Sequence, residues 1–296
     1  MSHAILLTGG GGQVGTELRR LTPPGYEIVA PGRDELDLAD PDAIARQVAA
    51  RPWAAVINSG AYTAVDKAET DPVAAWRINA LGPVALAQAT AQAGIPLLQV
   101  STDYVFDGAK PGPYLEGDPV GPLGVYGASK EAGEQAVRTG NRRHVILRTA
   151  WVVSPHGGNF IKTMLRLAET RDELRVVDDQ RGCPTSATDI AHTLLTIAGR
   201  LIEDGNAPSG TYHFVNAGEA SWCEFAREIF VQAETHGRKP PRVEAITTAD
   251  YPTPARRPAN SRLDTHKLAR DFGVTARPWR TAAAEVVDAL LAGSRT

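Results

Sequence analysis

The chain has 296 residues, of which 43% are hydrophobic and 22% charged, with a formal net charge of −3. This is ordinary globular usage and excludes a disordered or fibrous chain. Lys and Arg are neither in excess nor gathered in runs, so no nucleic-acid partner is expected, and no run of about 18 apolar residues is present to cross a membrane.

The first predicted element is a strand over 3–8, whose apolar run AILL stops at Thr8 with no charged segment before it, so no secretory leader is expected. Four glycines follow, and from Gln13 the spacing of Val14, Leu18 and Leu21 puts one apolar face on a helix. The alternation repeats. YEIVA (26–30) reads as a strand and is followed by a helix after Asp40-Pro41; AAVIN (54–58) is followed by a helix after Asp71-Pro72. At both sites Asp can cap and Pro fits the first turn. Gly82-Pro83 is expected to kink or split that third helix. PLLQVS (96–101), a helix carrying Tyr126 and Lys130, and HVILRT (144–149) complete the series.

Apolar strands separated by helices predict an α/β fold, a Rossmann-type doubly wound parallel sheet over residues 1–150. Residues 151–296 are expected to form mainly a smaller C-terminal lobe for the substrate, with some segments returning to the first domain. There the spacing predicts helices over 159–171 and 187–202, and Ser221 with Glu224 forms a capping box opening another. YPTPARRP (251–258) is too rich in proline for regular structure. Two cysteines, Cys183 and Cys223, without C-x-x-C spacing, predict reduced thiols and a cytoplasmic protein.

Three motifs carry chemistry. Thr8, Gly9, Gly12 and Gly15 give T-G-x-x-G-x-x-G between a strand and a helix, where glycines allow close backbone approach and the helix N-terminus attracts a pyrophosphate. After the second strand, where an acidic residue would bind the ribose hydroxyls of NAD, the chain reads Pro31-Gly32-Arg33. A guanidinium there suits a 2′-phosphate, which favours NADPH and leaves NADH admissible. Asp37 and Leu38 are candidates to border the adenine. Ser101 and Thr102 end a strand at the edge where parallel sheets bind ligands. Tyr126 and Lys130 lie four apart, on one helix face, where an ammonium can act on a phenol.

The order TGxxGxxG, STD, YxxxK resembles the short-chain dehydrogenase/reductase superfamily in its extended form. AYTAVDKAE, STDYVF, VYGASK, RTAWV, NFIKTMLRLA, VVDDQRGCPT and YPTPARRPANSRLDT together resemble the dTDP-4-dehydrorhamnose reductase family. The resemblance implies reduction of the 4-keto group of dTDP-4-dehydro-L-rhamnose to dTDP-L-rhamnose, an activated sugar for cell-surface polysaccharide. By position it implies Tyr126, Lys130 and Thr102 as catalytic residues. It also implies Gly12, Gln13, Val14, Asp37, Leu38, Ala61, Tyr62 and Thr63 as cofactor contacts, and Thr102, Asp103, Trp151 and Asn159 as contacts to the sugar nucleotide. Some members are metal-bridged dimers; Glu17 is available for this, but Thr188 stands where a second carboxylate is expected, so no metal is assigned and a homodimer stays open.

Two rival readings follow from the same fold. Sugar-nucleotide dehydratases and epimerases share it, but the dehydratases place a second carboxylic acid after the Thr-Asp pair, where this chain has Tyr104. A non-catalytic NADP-binding regulatory subunit has no need of a phenol, an amine and a hydroxyl in register.

Overall fold

The computed structural model describes residues 2–292. β1 (His3–Thr8) leads into α1 (Gln13–Arg20), followed by β2 (Tyr26–Val29), α2 (Pro41–Ala49) and β3 (Ala55–Asn58). α3 (Val65–Ala68) and α4 (Pro72–Trp76) precede a π-helical turn, Arg77–Leu81, which runs directly into α5 (Gly82–Gln92). β4 (Leu97–Thr102), a 3₁₀ turn at Asp103–Val105, α6 (Val125–Gly140) and β5 (His144–Thr149) follow. The rest of the chain holds β6 (Val152–Val153), α7 (Phe160–Ala168), β7 (Glu173–Val177), β8 (Arg181–Gly182), β9 (Thr185–Ser186) and α8 (Ala187–Glu203). It continues with β10 (Gly210–His213), β11 (Ala220–Ser221), α9 (Trp222–Thr235), β12 (Arg242–Ile246), α10 (His266–Phe272) and α11 (Trp279–Ala292).

The main sheet has six parallel strands in the order β10-β5-β4-β3-β1-β2. Successive strand residues face opposite sides, and both sides are dry. Ile5 and Leu7 join the cluster containing Leu18 of α1 and Ile190 and Leu194 of α8; Ala4 and Leu6 join that of Ile44, Leu86 and Val137 on α2, α5 and α6. A third cluster, built from Ile161, Leu174, Val176, Phe225, Ile229, Val286 and Val287, forms the core of the C-terminal part.

Local signals explain most boundaries. Asp40 caps α2 by accepting from Asp42 and Ala43 N–H, whereas Asp71 makes no cap bond and instead accepts from the Tyr62 hydroxyl at 3.4 Å. The Ser221–Glu224 capping box is present at α9. Gly82-Pro83 does not break its helix. The strain is absorbed one turn earlier, where Gly82 N–H reaches back to Arg77 O in the π turn. β10 was not foreseen, because GTYH is too short to show a period. It pairs with β5 as the sheet's new edge strand, while α8 covers one face, so segments beyond residue 150 complete the first layer.

α6 is locked to the sheet by a buried carboxylate. Glu134, fully buried, accepts from Ser101 Oγ of β4 at 2.6 Å and from Arg148 of β5 at 2.9 Å (Nε) and 2.6 Å (Nη2). Although burial opposes it, these donors and Arg138 hold the Glu134 carboxyl below its ordinary pKa. The stability it contributes is therefore present above the unfolded carboxylate value of about 4.3 and lost as pH falls through the lower folded value. Arg148→Met should destabilise the protein by about 3 kcal/mol, since it leaves the buried Glu134 carboxylate with only Ser101 and the part-exposed Arg138 as donors, and pairing it with Glu134→Leu should recover much of that loss. Urea unfolding midpoints of the two variants would check the order; equal losses would mean that the ion pair is not what the site depends on.

Candidate active site

The glycine loop is shaped by close contacts. Gly9 has φ +70°, and a Cβ there would lie 2.5 Å from Gly60 N at the end of β3; one on Gly15 would lie 2.2 Å from Gly9 O. The loop is thus folded onto the first turn of α1. Gly12 caps that helix without a side-chain bond, and a Cβ at Gly11 would meet nothing within 4 Å. The first α1 amides, of Gln13, Val14 and Gly15, have no intrahelical acceptor and border an open cradle, which fits a dinucleotide pyrophosphate.

Around this cradle lie the other candidate cofactor residues. Val14 is buried in the core and Gln13 Oε1 accepts from Ser154 Oγ at 2.9 Å and Asn159 Nδ2 at 3.0 Å. Leu38 packs against Gly60, and Asp37 caps its own turn through Ala39 N–H. Arg33 is exposed three residues beyond Ala30, whose Cβ abuts Gly10. Arg19 also lies against Gly10, an arginine that the sequence reading did not single out. Ala61, Tyr62 and Thr63 follow β3, and the Tyr62 backbone is held in both directions by Asn79, which donates in addition to Ser129 Oγ at 3.0 Å. Asn79 sits in the π turn and is buried. It too was missed, since an Asn within a helical stretch carries no signal of its own.

Thr102 ends β4, and the helix bearing Tyr126 and Lys130 is pressed onto the turn that follows. A Cβ on Gly127 would lie 2.1 Å from Tyr104 O, so only glycine allows that approach. The α6 N-terminus has no cap of its own; Glu69 supplies one by accepting from Val125 N–H at 2.8 Å. Thr102 Oγ1 accepts from Tyr104 N–H at 3.2 Å and donates to Asp103 Oδ1 at 2.9 Å. It is close enough to Tyr126 to favour the phenolate, and Lys130 Nζ donates to Val100 O at 2.7 Å. Thr102, Tyr126 and Lys130 therefore converge at the carboxyl edge of β4.

The electrostatics correct one expectation. The Tyr126 pKa lies above that of an ordinary phenol, because burial outweighs the help from Thr102 and Asp103 adds repulsion. Lys130 does not depress it. Its ammonium is turned to the Val100 carbonyl, and burial brings its own pKa down to about 8 against the pull of Glu134. Asp103, 3% exposed, is pushed up to about 6 by burial, despite hydrogen bonds from Ser261 and Thr102.

The remaining candidates are more committed to structure. Trp151 has φ +49°, stacks on Trp222 with ring centroids 3.5 Å apart, and fits against Gly182, where a Cβ would meet the indole at 2.4 Å. Asn159 caps α7 by accepting from Lys162 N–H and bridges Gln13 to Ser154 O. Glu17 is buried and bonded to Arg20, His156 and Thr188, which together hold its pKa down although burial opposes them. The proline-rich segment crosses to α3, where Arg257 pairs with Asp66 at 2.8 Å and also reaches the Tyr104 hydroxyl at 3.5 Å.

Known proteins resemble this chain over nearly its whole length. A family model described as RmlD substrate binding domain matches residues 3–292. The dTDP-4-dehydrorhamnose reductase of Sinorhizobium fredii is 48% identical over 289 residues, covering 97% of each chain. A solved dTDP-4-dehydrorhamnose reductase from Clostridium acetobutylicum superposes with a TM-score of 0.90 at 38% identity, covering 97% of this chain and 99% of its own. That of Bacillus anthracis, solved in complex with NADP, gives a TM-score of 0.89 at 34% identity with the same coverage. By this end-to-end match the chain belongs to the RmlD substrate binding domain family, that of the dTDP-4-dehydrorhamnose reductases.

Proposed function

We propose that this protein is an NADPH-dependent reductase that converts the 4-keto group of dTDP-4-dehydro-L-rhamnose to the hydroxyl of dTDP-L-rhamnose in the cytoplasm. The observation that carries the reading is the convergence of Thr102, Tyr126 and Lys130 at the end of β4 in a chain matched end to end by reductases of that substrate. Two buried cysteines without a disulfide support a reducing compartment. Among the described residues no helix is long and apolar enough to cross a membrane.

When bound, NADPH supplies the hydride. The α1 amides and the glycine loop would hold its pyrophosphate, Arg33 would pair with its 2′-phosphate, and the 61–63 segment, fixed by Asn79, would contact the rest of the cofactor. Reduction leaves negative charge on the substrate oxygen, which needs a proton and a hydrogen-bond donor. Tyr126 is placed to give that proton and stays protonated at neutral pH, although burial, by raising its pKa, makes it the weaker acid until charge develops beside it. Lys130, still mostly protonated near neutrality with a pKa of about 8, can turn from Val100 O to a ribose hydroxyl. Thr102 orients the carbonyl. Elimination chemistry is disfavoured by Tyr104, which fills the place of a second carboxylate and packs edge-on against Tyr126 with ring centroids 5.5 Å apart.

Incubation with dTDP-4-dehydro-L-rhamnose and NADPH should yield dTDP-L-rhamnose by NMR with matching loss of NADPH absorbance; an unsaturated or epimerised 4-keto product would overturn the assignment. Tyr126→Phe should lower kcat by about 10²–10⁴-fold while NADPH affinity stays near that of the parent. Lys130→Met should damage both. Arg33→Ala should raise the KM for NADPH by about tenfold, the loss of one charge-assisted contact of about 1.5 kcal/mol, and leave that for NADH unchanged. Equal changes for both cofactors would remove Arg33 from the phosphate site.

A further inference from the structure

The Thr102 hydroxyl has one proton to give. As the structure stands, that proton goes to Asp103 Oδ1 at 2.9 Å, while Tyr104 N–H occupies one of the oxygen's two accepting positions at 3.2 Å. An ionised carboxylate can only accept, so a Thr102 held in this way has no donor left for a substrate oxygen. A neutral Asp103 reverses the bond. Its O–H donates to Thr102 Oγ1 over the same distance, and the threonine proton is freed to turn into the crevice.

We propose that Asp103 is a positioning residue whose protonation state sets the direction of the Thr102 hydroxyl, backward onto Asp103 or forward onto the substrate oxygen. This rests on the role assigned above to Thr102. Two features of the site favour the neutral form. Asp103 Oδ2 is buried without a hydrogen bond of good geometry, an arrangement costly for a carboxylate and less so for an acid, and burial outweighs the opposing pull of Ser261, Thr102 and the Asp103 and Tyr104 amides. The groups facing Asp103 also supply no cation: Thr102 from β4, Tyr104 from the following turn, Tyr126 from α6 and Ser261 from the segment after the prolines. Lys130 is drawn away to Val100 O, and Arg257 is held by Asp66 and the Tyr104 hydroxyl. Burial accordingly brings the Asp103 pKa to about 6 with the site open to solvent, and a substrate that displaces water would move it further in the same direction.

The sign follows directly. The competent form is the protonated one, so kcat should fall as pH rises through the Asp103 pKa in the complex, toward a plateau about 10²–10³-fold lower, the usual loss of one donor to a developing oxyanion. Asp103→Asn cannot ionise, and its amide N–H can donate to Thr102 as the acid does. Whatever its level, its kcat should be independent of pH over that range. Thr102→Val should be equally flat, at the lower level.

Superimposable profiles for the parent and Asp103→Asn would overturn the proposal, as would the same pH-dependent decline persisting in Thr102→Val. Should Asp103→Asn fail to fold, the Thr102→Val profile alone decides. A Thr102→Val enzyme retaining the parent's acidic kcat within about threefold would instead remove Thr102 from the mechanism, a distinct failure of the underlying reading.

Discussion

The architecture of the site depends on one buried ion pair. Glu134 of α6 is held by Arg148 of β5 and by Ser101 of β4, so a single carboxylate joins the helix that carries Tyr126 and Lys130 to the strand that ends in Thr102. These residues lie one helical turn apart: Tyr126, Lys130 and Glu134 share a face at intervals of four. The phenol, amine and carboxylate form a column running from the crevice into the core. Its deep end is fixed by charge, and its open end is free to meet ligand. A buried pair contributes little net stability, but it tolerates few alternative placements of its partners, and placement is what proton transfer needs.

The sequence revealed the parts whose chemistry is local. The glycine loop, the Ser221–Glu224 capping box and the parallel strands each have a backbone or periodicity requirement that only certain residues meet, and the structure has them where the spacing put them. The roles of Asn79, Glu134 and Arg148 were not legible, because each works through a partner between 14 and 50 positions away. A polar residue inside an amphipathic helix looks like a solvated one until the facing strand is known. The Tyr126–Lys130 pair shows the opposite limit. Their proximity was readable from four-residue spacing, but the direction of the phenol's pKa was not, since burial and the orientation of the ammonium decide it.

Two contacts between the halves of the chain lie at the site. Gln13 of the glycine loop accepts from Ser154 and Asn159, and Asp66 of α3 pairs with Arg257 of the proline-rich segment. Both bridges start at residues expected to handle cofactor, or adjoin them, and end in the part of the chain that carries the other sugar-nucleotide candidates. Trp151, three residues before Ser154 in the chain, adopts a left-handed backbone conformation that costs energy in a non-glycine residue and persists because Trp222 and Gly182 enclose the indole.

β10 shows that the halves are not modules. A fragment ending near residue 150 would leave β5 as a bare sheet edge and uncover the apolar face that α8 now protects, including Val145 and Leu147. An unpaired, apolar parallel edge is a template for association with other chains. During synthesis on the ribosome, the nucleotide-binding layer therefore stays incomplete until some sixty further residues have emerged, roughly 3–12 s at typical elongation rates. Shuffling this lobe onto another protein would need β10 and α8 to travel with it.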